Sequence, residues 1–329
     1  MRALRSVLRL VLQMAFCIVA VTPALAQSDD IFERVRRVLA VSGEGELASA
    51  ALAKKNFAQV EDMLARSKAS TEPERAELLS LQGAIRFLDG KMSAAVEAFT
   101  KAAEMAPLND NDRFTFAMAF VNLGHDTRAR ALLSGLAEKH PERAIYLYWL
   151  GRLDYDQRRY KEAVEKLREA AQLDPKSARV WDSLGLAFDM QGQLEQALGA
   201  LEKAASLNRE QAHSSPWPPH DLGYLLLRMD KSKDAEAALR ESLQYNPKLT
   251  QAHYHLARAL EKEGKETEAI GEYVTAVSGD TAASDACYSL GMLYRKLHRD
   301  EEANAMFAEY KRRKQIIANS ELTRSEIRQ

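Results

Sequence analysis

Cysteine is scarce in this chain, and the sequence motifs that mark common active sites are missing. The 329 residues include two cysteines, Cys17 and Cys287, and Cys17 lies in an apolar leader. A single remaining thiol forms no internal disulfide, so stability has to come from packing. The sequence has no phosphate-binding glycine loop, no H-E-x-x-H and no paired C-x-x-C. These absences argue against an enzyme, and they predict neither a metal site nor a cofactor.

The histidines form no recognisable site in the sequence. His253 and His255 are close along the chain, but two residues apart on a helix they point about 200° away from each other. Two side chains so arranged cannot bind one metal ion together. His220 could serve as a ligand or a base, yet the sequence identifies no partner for it.

An excess of either charge is also missing. The chain has 46 lysines and arginines against 47 acidic residues. The leader holds Arg2, Arg5 and Arg9 and no acidic residue, so its removal leaves 43 against 47 and a net charge of −4. A mildly acidic chain with dispersed basic residues is not expected to bind nucleic acid.

No apolar run is long enough to predict a membrane-spanning helix. The stretch from Leu10 to Val21 is mostly apolar but contains Gln13, and it is well short of the ~20 residues that a span needs. It follows a basic segment and precedes Pro23-Ala24-Leu25-Ala26, the layout of a secretory signal. We predict a cleavable signal peptide at 1–26, export to the periplasm or outside the cell, and no stable membrane insertion afterwards. An uncleaved anchor and a mitochondrial presequence are the alternatives.

Aromatic residues make up only 7% of the chain, which suits many small helix seams better than one large core. The sequence does contain small residues that recur at a regular spacing. These residues are spaced by 34, with one step of 38: Gly83, Ala117, Gly151, Gly185, Gly223, Ala257 and Gly291. Twelve residues after each comes an alanine: Ala95, Ala129, Ala163, Ala197, Ala235, Ala269 and Ala303. A period of this length predicts stacked helix pairs, a solenoid.

The fourth unit shows the helix pair most clearly. Its first helix has apolar residues at helical spacing around Gly185, Gly192 breaks it, and a second apolar series runs from Leu194 to Ala205. Prolines end four of the units at the same phase: Pro107, Pro141, Pro175 and Pro247. Turn glycines recur as well: Gly90, Gly124, Gly192 and Gly264.

The pattern Trp181-x2-Leu184-Gly185-x2-Phe188 followed by Ala197-x3-Leu201 resembles the tetratricopeptide repeat. The resemblance covers residues 76–318 in seven units, although Arg86, Asp154 and Leu226 replace the expected aromatic residue. It implies an all-α fold, a right-handed α-solenoid whose first helices line a concave groove. We expect 27–75 to be a helical segment with a degenerate capping repeat.

Two further segments carry specific predictions. The step of 38 comes from extra residues at about 211–219, where three prolines predict a turn or loop instead of helix. Trp217 in this segment either covers the opened seam, which we favour, or contacts a partner. After a long basic helix end, 319–329 is predicted to be a disordered tail.

The repeat phase also predicts which side chains face the groove. Three residues before each small residue stand Ser80, Phe114, Tyr148, Asp182, His220, Tyr254 and Tyr288. One residue after stand Ala84, Met118, Arg152, Leu186, Tyr224, Arg258 and Met292. Tyr155, Arg228 and Arg295 follow along the same helices. Tyr and Arg favour binding hot spots. The alternative is that the tyrosines pack sideways and the arginines pair with Asp156, Asp182, Asp189 or Glu261.

These features predict a non-enzymatic scaffold of the cell envelope that binds a protein or peptide segment with aliphatic and acidic residues in its groove. A structural component of a secretion, pilus or polysaccharide-export machine is the alternative. The sequence identifies neither the partner nor the oligomeric state, because surface detail and not the fold sets the ligand.

Overall fold

A computed structural model describes residues 21–279 and 284–326, so most of the predicted signal peptide lies outside the described residues. The described residues form helices and no strand. In chain order the helices are α1 (Val21–Ala40), α2 (Gly45–Ala53), α3 (Phe57–Arg66), α4 (Glu72–Leu88), α5 (Met92–Met105), α6 (Asp110–Leu123), α7 (Asp126–Lys139), α8 (Ala144–Asp156), α9 (Tyr160–Leu173), α10 (Ala178–Met190), α11 (Leu194–Arg209), α12 (Trp217–Arg228), α13 (Ser232–Tyr245), α14 (Thr250–Lys262), α15 (Glu266–Gly279), α16 (Ser284–Lys296) and α17 (Asp300–Glu326). The all-α repeat fold predicted from the sequence is confirmed.

The chain divides into two compact units, and the boundary falls within α8, between Leu153 and Asp154. In the N-terminal unit, α2 packs on α3, α4 on α5 and α6 on α7. In the C-terminal unit the pairs are α10 with α11, α12 with α13, α14 with α15 and α16 with α17. Second helices also pack on the first helix of the next pair, as α3 does on α4, α5 on α6, α9 on α10, α11 on α12, α13 on α14 and α15 on α16. None of the described helices has the length and apolar character that crossing a bilayer requires.

The small residues in phase are explained by close contact within each pair. A Cβ atom placed on Gly185 would lie 2.6 Å from Cγ of Leu201, and one on Gly223 would lie 2.6 Å from Cγ of Leu239. The partner in both cases is sixteen residues further along the chain. The phased alanines on the second helices are fully buried. Small side chains at both positions therefore let the two backbones approach each other.

In every helix pair, the turn between the two helices contains one residue in the left-handed conformation. Positive φ angles occur at Lys55, Gly90, Gly124, Arg158, Gly192, Asp230, Gly264 and His298. Four of these residues are not glycine, so glycine marks only half of the turns in the sequence. The prolines follow helix ends, as predicted: α5, α7, α9 and α13 each end two residues before a proline.

Two boundaries differ from the sequence prediction. Helix α12 begins at Trp217 and includes Pro218 and Pro219, for which the sequence predicts a turn or loop. A proline in the first turn is compatible with a helix because the N–H groups there lack partners in any case. Helix α17 extends to Glu326, beyond the predicted start of the tail at 319. No proline or glycine follows Gly291 to end this helix.

Candidate functional site

Two histidines lie at the centre of the candidate site in the C-terminal unit. His220 is on α12 and His255 on α14, two first helices that contact each other. His255 Nδ1 lies 3.0 Å from His220 Nε2, and His220 Nδ1 lies 2.7 Å from a carboxylate oxygen of Asp221. Because the carboxylate accepts from Nδ1–H of His220, Nε2 is left to accept from His255. Asp221, His220 and His255 thus form one hydrogen-bonded chain, which the sequence analysis missed.

Aromatic rings surround this pair. The ring centroids of Tyr224 and Tyr254 lie 4.9 and 5.2 Å from that of His255. Trp217 places its ring edge-on to His220 at 5.4 Å, so it packs at the start of α12. The guanidinium of Arg258 lies 5.8 Å from the centre of the Tyr254 ring. The structure therefore brings together four residues that the repeat phase assigns to the groove, His220, Tyr224, Tyr254 and Arg258, around His255, which that phase does not assign to it.

The protonation of the two α14 histidines differs. Burial, the neighbouring His220 and the charge of Arg258 together hold the pKa of His255 well below its ordinary value. The hydrogen bond that His253 Nδ1 donates to the Glu272 carboxylate, at 2.5 Å, raises the pKa of His253. His255 is therefore neutral at neutral pH. Among the described residues, no three His, Cys, Asp or Glu side chains are arranged to hold a metal ion.

Arg228 pairs with an acidic residue of the protein, which is the alternative given for the arginines in the sequence. Its guanidinium forms a short ion pair with Asp189 on the neighbouring helix α10. Burial raises the pKa of Asp189, and the charge of Arg228 opposes that shift. Arg228 is thus engaged within the protein. Tyr155 also packs locally, with its ring 5.6 Å from that of Tyr160.

Helix α16 presents an accessible stripe of three residues. Tyr288, Met292 and Arg295 are four and three residues apart, so they share one helical face. Tyr288 is 48% exposed and Met292 is 45% exposed. The rings of Phe307 and Tyr310 on α17 support Tyr288 from 5.8 and 5.4 Å. Arg295 lies over the Phe307 ring, 4.7 Å from its centroid. We call Tyr288, Met292 and Arg295 the α16 stripe.

The predicted groove residues of the N-terminal unit are buried. Only 2% of Tyr148 is exposed, and Phe114, Met118 and Arg152 are buried as well. The ring of Phe114 packs against Tyr146 at 5.6 Å, and Tyr148 packs against the next residue, Trp149. These four residues therefore have packing roles, and the prediction that they form an accessible binding surface is corrected. Residue spacing predicts on which face of a helix a side chain lies, but not which other side chains cover that face.

A model of the tetratricopeptide repeat matches residues 114–178, 151–214 and 220–286, just over half of the chain. The chain is a tetratricopeptide repeat protein. Members of this family are interaction scaffolds, and the fold indicates a role in protein–protein interaction. The resemblance of the sequence to the tetratricopeptide repeat is therefore confirmed for the family and for the fold.

Curated relatives of this tetratricopeptide repeat protein include a member of a complex and a receptor. The BBS4 homologue of the BBSome complex from Drosophila melanogaster is 25% identical over 197 residues, which are 56% of this chain and 39% of that protein. The peroxisomal targeting signal receptor of Candida albicans is 25% identical over 204 residues, 60% of this chain and 34% of the receptor. The chain thus spans about two fifths or less of the length of these curated relatives.

Two solved structures share the fold. The Cut9–Hcn1 hetero-tetramer of the APC/C has a TM-score of 0.60 at 20% identity, covering 80% of this chain and 54% of that one. A tetratricopeptide repeat protein from Parabacteroides merdae has a TM-score of 0.60 at 16% identity, covering 79% of this chain and 99% of that one. At these identities the likeness concerns the fold alone.

Proposed function

We propose that this protein is a scaffold that binds a segment of another protein through the first helices of its C-terminal unit. The observation that carries the proposal is the α16 stripe. Large apolar side chains that remain about half exposed on one helical face are typical of interaction surfaces. The stripe occupies the positions that the repeat phase assigns to the groove, because Tyr288 precedes Gly291 by three residues and Met292 follows it.

The side chains define the chemistry of the bound segment. Tyr288 and Met292 offer apolar surface, which favours aliphatic side chains in the partner. Arg295 on α16 and Arg258 on α14 supply forked cationic donors, which favour carboxylates. The segment we expect is therefore rich in aliphatic and acidic residues, in an extended or helical conformation.

We further propose that the protein acts in the cell envelope or outside the cell. The support is the leader: basic residues at positions 2, 5 and 9, a short apolar core, and Ala24 and Ala26 before Gln27. N-terminal sequencing of the protein purified from its own cells tests this. Gln27 as the first residue, in an envelope or medium fraction, supports export; an intact Met1 in the cytosolic fraction contradicts it.

The binding proposal is tested by affinity capture of partners from the envelope fraction, followed by mass spectrometry. We expect Tyr288→Ala with Met292→Ser to reduce recovery of the main partner by at least ~30-fold, since hot-spot residues contribute about 2 kcal/mol or more. The matched control is Val274→Ser. Val274 is 44% exposed on the second helix α15, away from the first-helix face.

The two variants separate the candidate functions. Loss of the partner with the α16 variant and retention with Val274→Ser supports groove binding. Loss with Val274→Ser alone places the interface on the second helices, which favours a structural component of a larger export machine instead. Thermal unfolding of both variants should stay close to that of the wild-type chain, because all three side chains are about half exposed.

A further inference from the structure

Helix α1 stands outside the repeat register. It has no second helix of its own, and it is joined to the α2–α3 pair by the short turn 41–44. In this turn Gly43 has a φ of +80°, and Val41 is 93% exposed. An apolar face of α1, formed by Ile31, Val35 and Leu39, is nevertheless buried. The helix is thus an added element that lies on the repeats of the N-terminal unit.

One arginine of α1 joins two successive repeats. Arg34 donates to both carboxylate oxygens of Asp112 on α6, at 2.8 Å each. It also donates to both oxygens of Glu77 on α4, at 3.0 and 2.9 Å. Asp112 is positioned in turn by a short hydrogen bond from Ser80 and a 2.8 Å hydrogen bond from Asn109. The guanidinium therefore binds a carboxylate, Asp112, that further hydrogen bonds hold in place.

The contacts follow the repeat register. Asn111 on α6 donates to Asp30 of α1 at 3.0 Å. Glu77 and Asn111 are 34 residues apart, and each stands six residues before the small residue of its own repeat. They are equivalent positions, at the start of the helical stripe that continues to Ser80 and Ala84 on α4 and to Phe114 and Met118 on α6. Helix α1 thus binds to a surface that the repeats themselves generate.

This surface requires a cation. The side chain of Asp112 is only 2% exposed, and a carboxylate so buried is strongly destabilising without a positive partner. Burial on its own lowers the pKa of Arg34, but the hydrogen bonds and charges of Asp112 and Glu77 outweigh it and raise that pKa. A guanidinium satisfies both carboxylates at once, whereas an ammonium has no matching fork.

We propose that the surface formed by Glu77, Ser80, Asn111 and Asp112 is a second binding surface, with α1 as its intramolecular occupant. The partner that fits it is a helix carrying an arginine with aliphatic residues three before, one after and five after, the pattern of Ile31, Val35 and Leu39 around Arg34. Such a helix binds by displacing α1. A cleft of about 580 Å³ beside α1 has Arg34, Glu77 and Asn111 in its lining, so the polar contacts of α1 border open space. The proposal stands independently of the α16 stripe, which belongs to the other unit.

The probe is a fluorescent peptide of residues 27–41, titrated against the full chain and followed by anisotropy. We expect the Arg34→Ala chain to bind the peptide at least ten-fold more tightly than the wild-type chain, because its own α1 leaves the surface more often. The same peptide carrying Arg34→Ala should bind that chain at least ten-fold more weakly than the native peptide. Equal binding of the two peptides would show that the surface does not recognise arginine and would overturn the proposal.

A cross-link provides a matched control that does not depend on the stability of the Arg34 variant. Asp30→Cys combined with Asn111→Cys places two thiols where the side chains now meet. The oxidised chain, with α1 locked in place, should not bind the peptide, and reduction of the same sample should restore saturable binding. Equal binding in both states, or no saturable binding by any chain, contradicts the proposal.

Discussion

At the residue scale, His253 and His255 show how position on one helix decides protonation. They are two residues apart on α14, and their pKa values shift in opposite directions. His253 has an acidic partner in Glu272. His255 instead contacts His220, two tyrosine rings and the charge of Arg258. The two residues should therefore contribute to stability with opposite pH dependence.

The pH dependence follows from linkage. The folded pKa of His255 lies below its unfolded value of about 6.5, so the unfolded chain binds more protons in that interval. Its effect is a loss of stability as the pH falls below about 6.5. His253 has a raised folded pKa, so its stabilisation is complete below about 6.5 and is lost as the pH rises through that folded value. We expect His255→Gln to flatten the acid side of the stability profile and His253→Gln the alkaline side.

Urea unfolding from pH 5 to pH 8 measures both effects, with changes of the order of 1 kcal/mol for each pH unit titrated. The two variants serve as controls for each other. If both leave the wild-type slope unchanged, the hydrogen bonds assigned to His220 and Glu272 do not control these protonation states.

The residue scale also shows what the sequence could predict of the turns. Gly90, Gly124, Gly192 and Gly264 were identified because glycine readily adopts positive φ. Arg158, Asp230 and His298 have the same conformation without a glycine. Their positions were available in the 34-residue phase, but arginine gives no turn signal, and aspartate and histidine adopt positive φ much less often than glycine. Tertiary packing of the flanking helices imposes this conformation against the local preference.

At the element scale, the packing of α10 on α11 depends on the absence of one side chain. A methyl group on Gly185 would meet Leu201 at 2.6 Å, whereas one on Gly199, also within the pair, would have no neighbour within 4 Å. We expect Gly185→Ala to destabilise the protein by about 1–3 kcal/mol through overpacking. Gly199→Ala should stabilise it by up to about 1 kcal/mol, because alanine is the better helix former.

Chemical denaturation of the two variants checks the signs. The substitutions are the same, so their effect on the unfolded chain is similar and the difference reports the contact with Leu201. Equal changes in both variants would mean that the α10–α11 seam tolerates the added methyl group. The helix pairs were predicted correctly from the sequence where small residues and prolines recur at the 34-residue spacing. It failed at the start of α12, where proline in a first turn is compatible with a helix.

At the scale of the whole molecule, the sequence predicted the repeat architecture but only part of the candidate site. Phase assigns a residue to a helical face, and Tyr224, Tyr254, Arg258 and Tyr288 were found in this way. Phase does not reveal side chains that meet across a seam, such as His220 and His255, 35 residues apart. It also does not reveal that Arg34, far from Asp112 in sequence, would bind it. These contacts depend on stacking, which the sequence of one repeat does not encode.

Stacking also predicts how a local defect spreads through the C-terminal unit. In a repeat array each helix pair contacts only its neighbours, so stability is a sum of local and nearest-neighbour contributions. Gly185→Ala should therefore increase amide hydrogen exchange most in α10 and α11, less in α12 and α13, and hardly at all in α16 and α17. Exchange measured by mass spectrometry on the full chain tests this, with Gly199→Ala as the control that should not increase it. A uniform increase from α10 to α17 would mean that the unit opens in a single cooperative step, as a domain with one shared core does.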